Sequence, residues 1–289
     1  MGGVGKTQLA AAHARRLWDE RVVDLVVWVT ASSRAALVSA YAQAAVDVTG
    51  VDDENPERGA TRFLAWMSEP HGRRWLVVLD DVQHPNDITG LWPPTSRTGR
   101  TVVTTRRRDA ALLCGRQVVD VGLFTPDQSL AYLRTKLGED SRLLAGADSL
   151  AQELGHLPLA LAQAATYLQD RGLDCTSYRR RLSDRCRSLA SLAPDALPDE
   201  QRATVAATWS LSIEAADACT PIGLARPVLE FSAMLDPNAI PEDAFTSPAA
   251  HKYFKHRLGI TVEEVSSEDV LDALYSLHRL ILQSLFHGE

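Results

Sequence analysis

The chain has 289 residues, 45% of them hydrophobic and 23% charged, with 17 glycines and 14 prolines, a composition that excludes collagen-like, low-complexity and mostly disordered classes. A net charge of −7 argues against a polyanion binder driven by bulk electrostatics, and four scattered cysteines give neither a disulfide framework nor a zinc site. No run is long and apolar enough to cross a membrane and no signal peptide opens the chain, so a reducing, cytoplasmic setting is expected.

The first stretch of about 120 residues alternates β-branched runs with helical segments, the pattern of βα units building a parallel sheet. Four strands are read: Arg21 to Thr30, Arg74 to Asp80, Arg100 to Thr105 and Gln117 to Val121. Helices fill the gaps at Gln8 to Trp18, Arg34 to Val46 and from Pro56 onward. Beyond Val121 the chain reads as helical. Thr125-Pro126-Asp127 starts one helix, Leu143 to Leu154 forms another, and Pro158 opens a third that ends at Gly172. The proline-bearing stretch Ser188 to Pro198 reads as a boundary, and Val205, Trp209, Ile213 and Ala216 recur at helical spacing after it. Near the end, Leu271, Leu274, His278, Ile281 and Leu285 share a helical face.

Three short motifs carry chemistry. Gly2-Gly3-Val4-Gly5-Lys6-Thr7, followed by Gln8 and an alanine-rich helix, is the body of a phosphate-binding P-loop. Its glycines let backbone N–H groups turn toward phosphates, Lys6 meets their charge, and Thr7 offers a hydroxyl to Mg²⁺ at a helix N-terminus. The run Trp75 to Asp81 is an apolar strand ending in two carboxylates, the Walker B pattern, with Asp80 on the metal and Asp81 as the base for water. Arg106, after Thr104 and Thr105, can reach a γ-phosphate, whereas Arg107 and Arg108 read as solvated. One strand between P-loop and Walker B resembles the additional-strand class of P-loop ATPases.

Together MGGVGKT, LVVLDDV, VVTTRR and GHLPLAL, in this order, resemble the NB-ARC module of STAND-class signalling ATPases. The resemblance implies an α/β fold: a P-loop NTPase parallel sheet, then a small helical domain and a mostly helical winged-helix domain. The corresponding spans are 1–123, 124–192 and 193–289. Pro158, in the GLPLA-like stretch Gly155 to Ala160, would touch the nucleotide base or sugar. The family's strand ahead of the P-loop would lie mid-sheet, between Thr101 to Thr105 and Gln117 to Val121. Because Met1 falls inside the loop and no complete wing hairpin closes the chain, the module reads as truncated at both ends, with effector and sensor modules absent. His287 is a poor match to the family's diphosphate-contacting histidine.

The implied function is a switch that binds ADP or ATP with Mg²⁺, hydrolyses slowly or not at all, and self-associates in the ATP state. Asp81, shorter than a glutamate, fits slow turnover. Three alternatives stay open: an AAA+ type ATPase, a non-functional fragment, and a DNA-binding regulator using the winged helix or the basic stretch Arg171 to Arg187. In that stretch Asp174 and Asp184 interrupt the arginines, and a solvated helix face is the simpler reading, so nucleic acid is not expected as a partner.

Overall fold

The computed structural model describes residues 2–69, 72–192, 200–235, 240–259 and 265–282. The chain divides into two compact units, Met1–Val121 and Gly122–Glu289.

In the first unit, α1 (Lys6–Asp19) leads to β1 (Leu25–Thr30), α2 (Arg34–Thr49), α3 (Pro56–Ser68), β2 (Trp75–Val82), β3 (Gly99–Thr105) and a short α4 (Ala110–Leu113). The strands form one parallel sheet in the order β1-β2-β3, with Val27 opposite Val77 and Val78 opposite Val102. Local chemistry sets the helix starts: Ser33 caps α2 through Ala36 N–H, and Asn55 caps α3, whose first residue is Pro56.

The central strand is buried along nearly its whole length, and its side chains alternate between two cores. Trp75, Val77 and Leu79 pack with Tyr41 and Phe63 of the α2–α3 layer, while Leu76 and Val78 pack with Ala10, Ala14 and Leu17 of α1. Two glycines permit close approach. A Cβ on Gly99 would lie 2.0 Å from the Trp75 ring, and one on Gly59 would lie 2.8 Å from Ala42 Cβ. The expected helices at Gln8, Arg34 and Pro56 all form, and the first two run slightly beyond their expected ends.

Gln117 to Val121 is not a strand, contrary to the sequence reading. Its β-branched residues favour extended backbone, but a strand exists only with a neighbour, and no backbone hydrogen bond ties it to the other described residues. Val118 and Val119 stand 53% and 68% exposed.

The regular elements described in the second unit are all helices: α5 (Pro126–Leu137), α6 (Ala147–Glu153), α7 (Pro158–Arg171), α8 (Cys175–Leu192), α9 (Glu200–Asp217), α10 (Ala225–Ser232), α11 (Glu242–Phe245), α12 (Pro248–Leu258) and α13 (Ser267–Leu277). One continuous apolar core links Leu133 of α5, Leu161 and Leu168 of α7, Tyr178 of α8, Leu211 of α9, Phe254 of α12 and Leu277 of α13. A capping box at Thr125 and Gln128 fixes the start of α5, and Gly172 in the left-handed region ends α7.

Three expectations are corrected here. The helix read at Leu143 starts only at Ala147, because turns occupy 141–146. Ser188 to Leu192 continue α8 instead of forming a linker, and residues 193–198 lie outside the described residues. On α13 and the π turn after it, the buried residues are Val270, Ala273, Leu277 and Leu280, one position off the expected face, so His278 points outward. Leu285 and His287 lie outside the described residues.

Candidate functional site

The loop Gly2 to Gly5 runs directly into α1, and its conformation explains its glycines. Gly3 and Gly5 have φ of 72° and 89°, left-handed values that side chains rarely adopt, and Gly5 is the residue before the first helical turn. Val4 is buried and anchors the loop, while the first-turn N–H groups of α1 lack a side-chain cap. A helix N-terminus of this kind attracts anions.

Strand alternation delivers Asp80 to the same place. It follows Leu76 and Val78 on the α1 face of β2, so its carboxylate meets the start of α1. Thr7 Oγ1 donates to Asp80 Oδ1 at 3.0 Å, and Thr104 Oγ1 of β3 donates to the same oxygen at 2.5 Å. Asp80 and Thr104 are only 8% and 6% exposed, so this carboxylate is held from two elements in a largely dry setting.

Asp81 departs from the strand. Its φ is 57°, the register with β3 shifts between Leu79 and Val82, and Val82 consequently packs with the α2–α3 core instead of with α1. This bulge separates the two carboxylates. Asp81 N–H donates to Thr104 Oγ1 at 2.8 Å, Gln83 Nε2 donates to Asp81 Oδ2 at 2.6 Å, and Arg106 Nε lies 3.6 Å from Asp81 Oδ1. Thr104 therefore serves both acids, accepting from the backbone of one and donating to the side chain of the other.

Arg106 follows β3 and also approaches the P-loop, since a Cβ on Gly2 would lie 3.5 Å from its Nη1. Partial burial lowers the Lys6 pKa from the ordinary lysine value, Arg106 lowers it further, and Asp81 and Asp80 oppose both. Lys6, Thr7, Asp80, Asp81 and Arg106 thus gather at one end of the sheet, as their spacing in the sequence implied. Gln8 occupies the first turn of α1. Gln83 was missed by the sequence reading; its only signal was its place two residues after Asp81.

Among the described residues no group of three or more His, Cys, Asp or Glu could hold a metal by itself. The hydroxyl of Thr7 and the carboxylate of Asp80 are hard oxygen donors sharing one hydrogen bond, and they fit a Mg²⁺ that draws its other ligands from phosphates and water.

Pro158 belongs to the second unit, where it is the first residue of α7. The loop ahead of it is tied down: His156, with φ 53°, accepts from Phe124 N–H through its carbonyl at 3.0 Å, and its Nδ1 lies 2.9 Å from Ser129 Oγ. The basic stretch on α8 is occupied internally. Arg179 pairs with Glu153, Arg185 with Glu214 and Arg187 with Asp184, and Arg181 donates to the Tyr167 hydroxyl. No described helix is long and apolar enough to cross a membrane.

The chain is 26% identical over 201 residues to a nucleotide-binding leucine-rich repeat (NLR)-like protein of Hyaloscypha variabilis, an alignment covering 62% of this chain and 20% of the relative. It is 31% identical over 180 residues to the regulatory protein AfsR of Streptomyces coelicolor, covering 59% of this chain and 18% of that protein. The aligned portion is about a fifth of the length of each of these relatives. Residues 1–142 match the NB-ARC domain family, and they contain the P-loop, the paired carboxylates and Arg106 in one folded unit. The three-stranded parallel sheet with its P-loop is an α/β fold of the P-loop NTPase type, and residues 1–142 carry an NB-ARC module, a nucleotide-binding domain.

Proposed function

We propose that the chain is an ADP/ATP-binding conformational switch acting in signal transduction or regulation. The observation that carries this reading is the convergence of Thr7, Asp80 and Thr104 at the start of α1, with the Asp81–Arg106 pair beside them. Backbone N–H groups of Gly2 to Lys6 bind the phosphates, and the Lys6 ammonium neutralises them. Thr7 and Asp80 hold Mg²⁺, which when bound offsets phosphate charge and orients the terminal phosphate. Val4 and Gln8 complete the cofactor-binding turn. Arg106 reads the γ-phosphate, for which it must leave Asp81, and Asp81 orients the attacking water.

Asp81 is held by both Gln83 and Arg106, an arrangement that favours a resting state over rapid turnover and supports slow hydrolysis. Pro158 supplies a rigid wall for the base or sugar. The division into domains 1–123, 124–192 and 193–289, with a winged-helix character for the last, belongs to the same proposal. So do a cytoplasmic setting, self-association in the ATP state, and coupling to effector and sensor modules; the printed name of one relative agrees with a regulatory role and that of the other with nucleotide binding.

The test is to purify the chain, denature it and identify released nucleotide by chromatography, then titrate emptied protein with ADP and Mg-ATP. Lys6→Ala removes a charge-assisted contact of about 1.5–3 kcal/mol, roughly tenfold to a hundredfold in affinity. Equal affinity in wild type and variant, or no binding by emptied wild type at millimolar nucleotide, overturns the assignment.

A further inference from the structure

Gln83 stands immediately past the end of β2, and the bulge at Asp81 decides where its side chain goes. In an unbroken strand, side chains alternate between faces, so Gln83 would share the parity of Trp75, Val77 and Leu79 and point into the α2–α3 core. The register shift between Leu79 and Val82 inserts one residue, and Val82 takes that core position instead. Gln83 is left half-buried beside the Asp81 carboxylate.

Two contacts then divide that carboxylate. Gln83 Nε2 donates to Asp81 Oδ2 at 2.6 Å, and Arg106 Nε lies 3.6 Å from Oδ1. The backbone beneath is anchored as well, because Asp81 N–H donates to Thr104 Oγ1 at 2.8 Å. An aspartate side chain has two torsions, and a donor on one oxygen of an anchored residue settles both. Oδ1 is therefore the oxygen turned to Arg106, and Arg106 in turn lies beside the P-loop, where a Cβ on Gly2 would be 3.5 Å from its Nη1.

The two contacts differ in kind. The Arg106 side chain is 60% exposed, its contact with Asp81 is long, and its charge is drawn to phosphate. The Gln83 amide is neutral, makes a short bond, and has no such competing attraction. When Arg106 turns to a γ-phosphate, Gln83 stays on Oδ2 and Oδ1 is left open toward the P-loop.

We propose that Gln83 is a positioning residue for ATP hydrolysis, which by holding Oδ2 presents Oδ1 of Asp81 to the attacking water. The inference rests on the nucleotide-switch reading and deepens it. In the step served, the water oxygen bonds to the γ-phosphorus while the bond from that phosphorus to the bridging oxygen breaks. ADP keeps the electron pair, and one water proton passes through Asp81 Oδ1 to solvent. Gln83 touches neither water nor phosphate. Its effect is on aim, and a misplacement of about 1 Å at a reacting group costs roughly a hundredfold.

The test uses the full chain with Mg-ADP, alone and with aluminium fluoride, which mimics the transferring phosphoryl group with its in-line water. Retention of labelled ADP is measured, and single-turnover hydrolysis of Mg-ATP is read in parallel. In wild type the fluoride is expected to tighten ADP retention by at least about tenfold. Gln83→Met and Gln83→Glu keep the side-chain length and remove the donor. Both are expected to bind Mg-ADP within about twofold of wild type, yet to lose most of the tightening and about tenfold in hydrolysis. Asp81→Asn loses the tightening too, and the double variant Gln83→Met, Asp81→Asn loses no more than Asp81→Asn alone. Full tightening in Gln83→Met, an equal loss of plain ADP affinity, additive losses in the double variant, or no tightening in a wild type that binds Mg-ADP each overturns the positioning role while nucleotide binding stands. A wild type that binds no Mg-ADP overturns both readings.

Discussion

The Thr104 hydroxyl is the most exposing test of the site's geometry, because one atom serves both carboxylates. In Thr104→Val the shape is kept while two hydrogen bonds go: a 2.5 Å donation to the Asp80 carboxylate and a 2.8 Å acceptance from Asp81 N–H. A hydrogen bond to a charged group contributes about 1.5–3 kcal/mol, and an N–H left partly buried without a partner adds up to about 1 kcal/mol. The expected destabilisation of the first unit is thus about 1.5–4 kcal/mol. Five of the six tryptophans (positions 18, 28, 66, 75 and 92) lie in that unit, so their fluorescence in urea follows it. The decisive comparison is the double-mutant cycle with Asp80→Asn. A neutral partner reduces the Thr104 bond to about 0.5–1.5 kcal/mol, leaving a coupling of about 1 kcal/mol between the two substitutions. Strict additivity would show that Thr104 does not act through Asp80, and the geometry argued for the site would be wrong.

Other outcomes follow from packing and charge. Gly99→Ala places a methyl 2.0 Å from the buried Trp75 ring and is expected to destabilise by about 1–3 kcal/mol in the same urea assay; an unchanged midpoint would refute that contact. Asp24 accepts two bonds from the Arg74 guanidinium and one from Arg74 N–H, which hold its carboxyl well below the ordinary 3.8. Its folded-state pKa is depressed, so its contribution is fully present above pH 3.8 and is lost as pH falls below it; Asp24→Asn should flatten that part of an acid-unfolding curve. Burial pushes the Cys175 thiol up to about 11, whereas Cys114 is exposed, so an alkylating reagent at pH 8 should label Cys114 first and Cys175 only on unfolding, as mass spectrometry of the peptides would reveal.

Much of the site was legible because its residues act through local chemistry. A glycine loop running into an alanine-rich helix specifies the P-loop by itself, and an apolar strand that ends in acids marks the carboxylates of the candidate site. The parity of β2 then carries Asp80 to α1 with no further information. What the sequence hid depends on partners distant in the chain. The bulge at Asp81 arises from how β2 meets β3, and with it the sharing of Thr104 and the attachment of Gln83. Gln117 to Val121 has strand-forming residues but no neighbour to pair with, so propensity misled. The arginines of α8 were read as a solvated face from the acids beside them, yet Arg179, Arg181 and Arg185 find partners on α6, α7 and α9.

The charges at the head of the sheet constrain how a switch built on it must work. Lys6 and Arg106 face Asp80 and Asp81, two cations against two carboxylates, and Arg106 pairs with Asp81. In the proposed switch a diphosphate brings more negative charge than Lys6 and Arg106 offset while they face Asp80 and Asp81, and a divalent cation held by Thr7 and Asp80 would supply part of the difference. The third phosphate then has one candidate among these groups left to recruit, the guanidinium already held by Asp81. Drawing Arg106 away releases Asp81 from one of its two restraints, while Gln83 keeps the other. In the proposed switch, sensing the γ-phosphate and freeing the base are therefore a single event: the residue proposed to distinguish ATP from ADP is the one that pairs with Asp81.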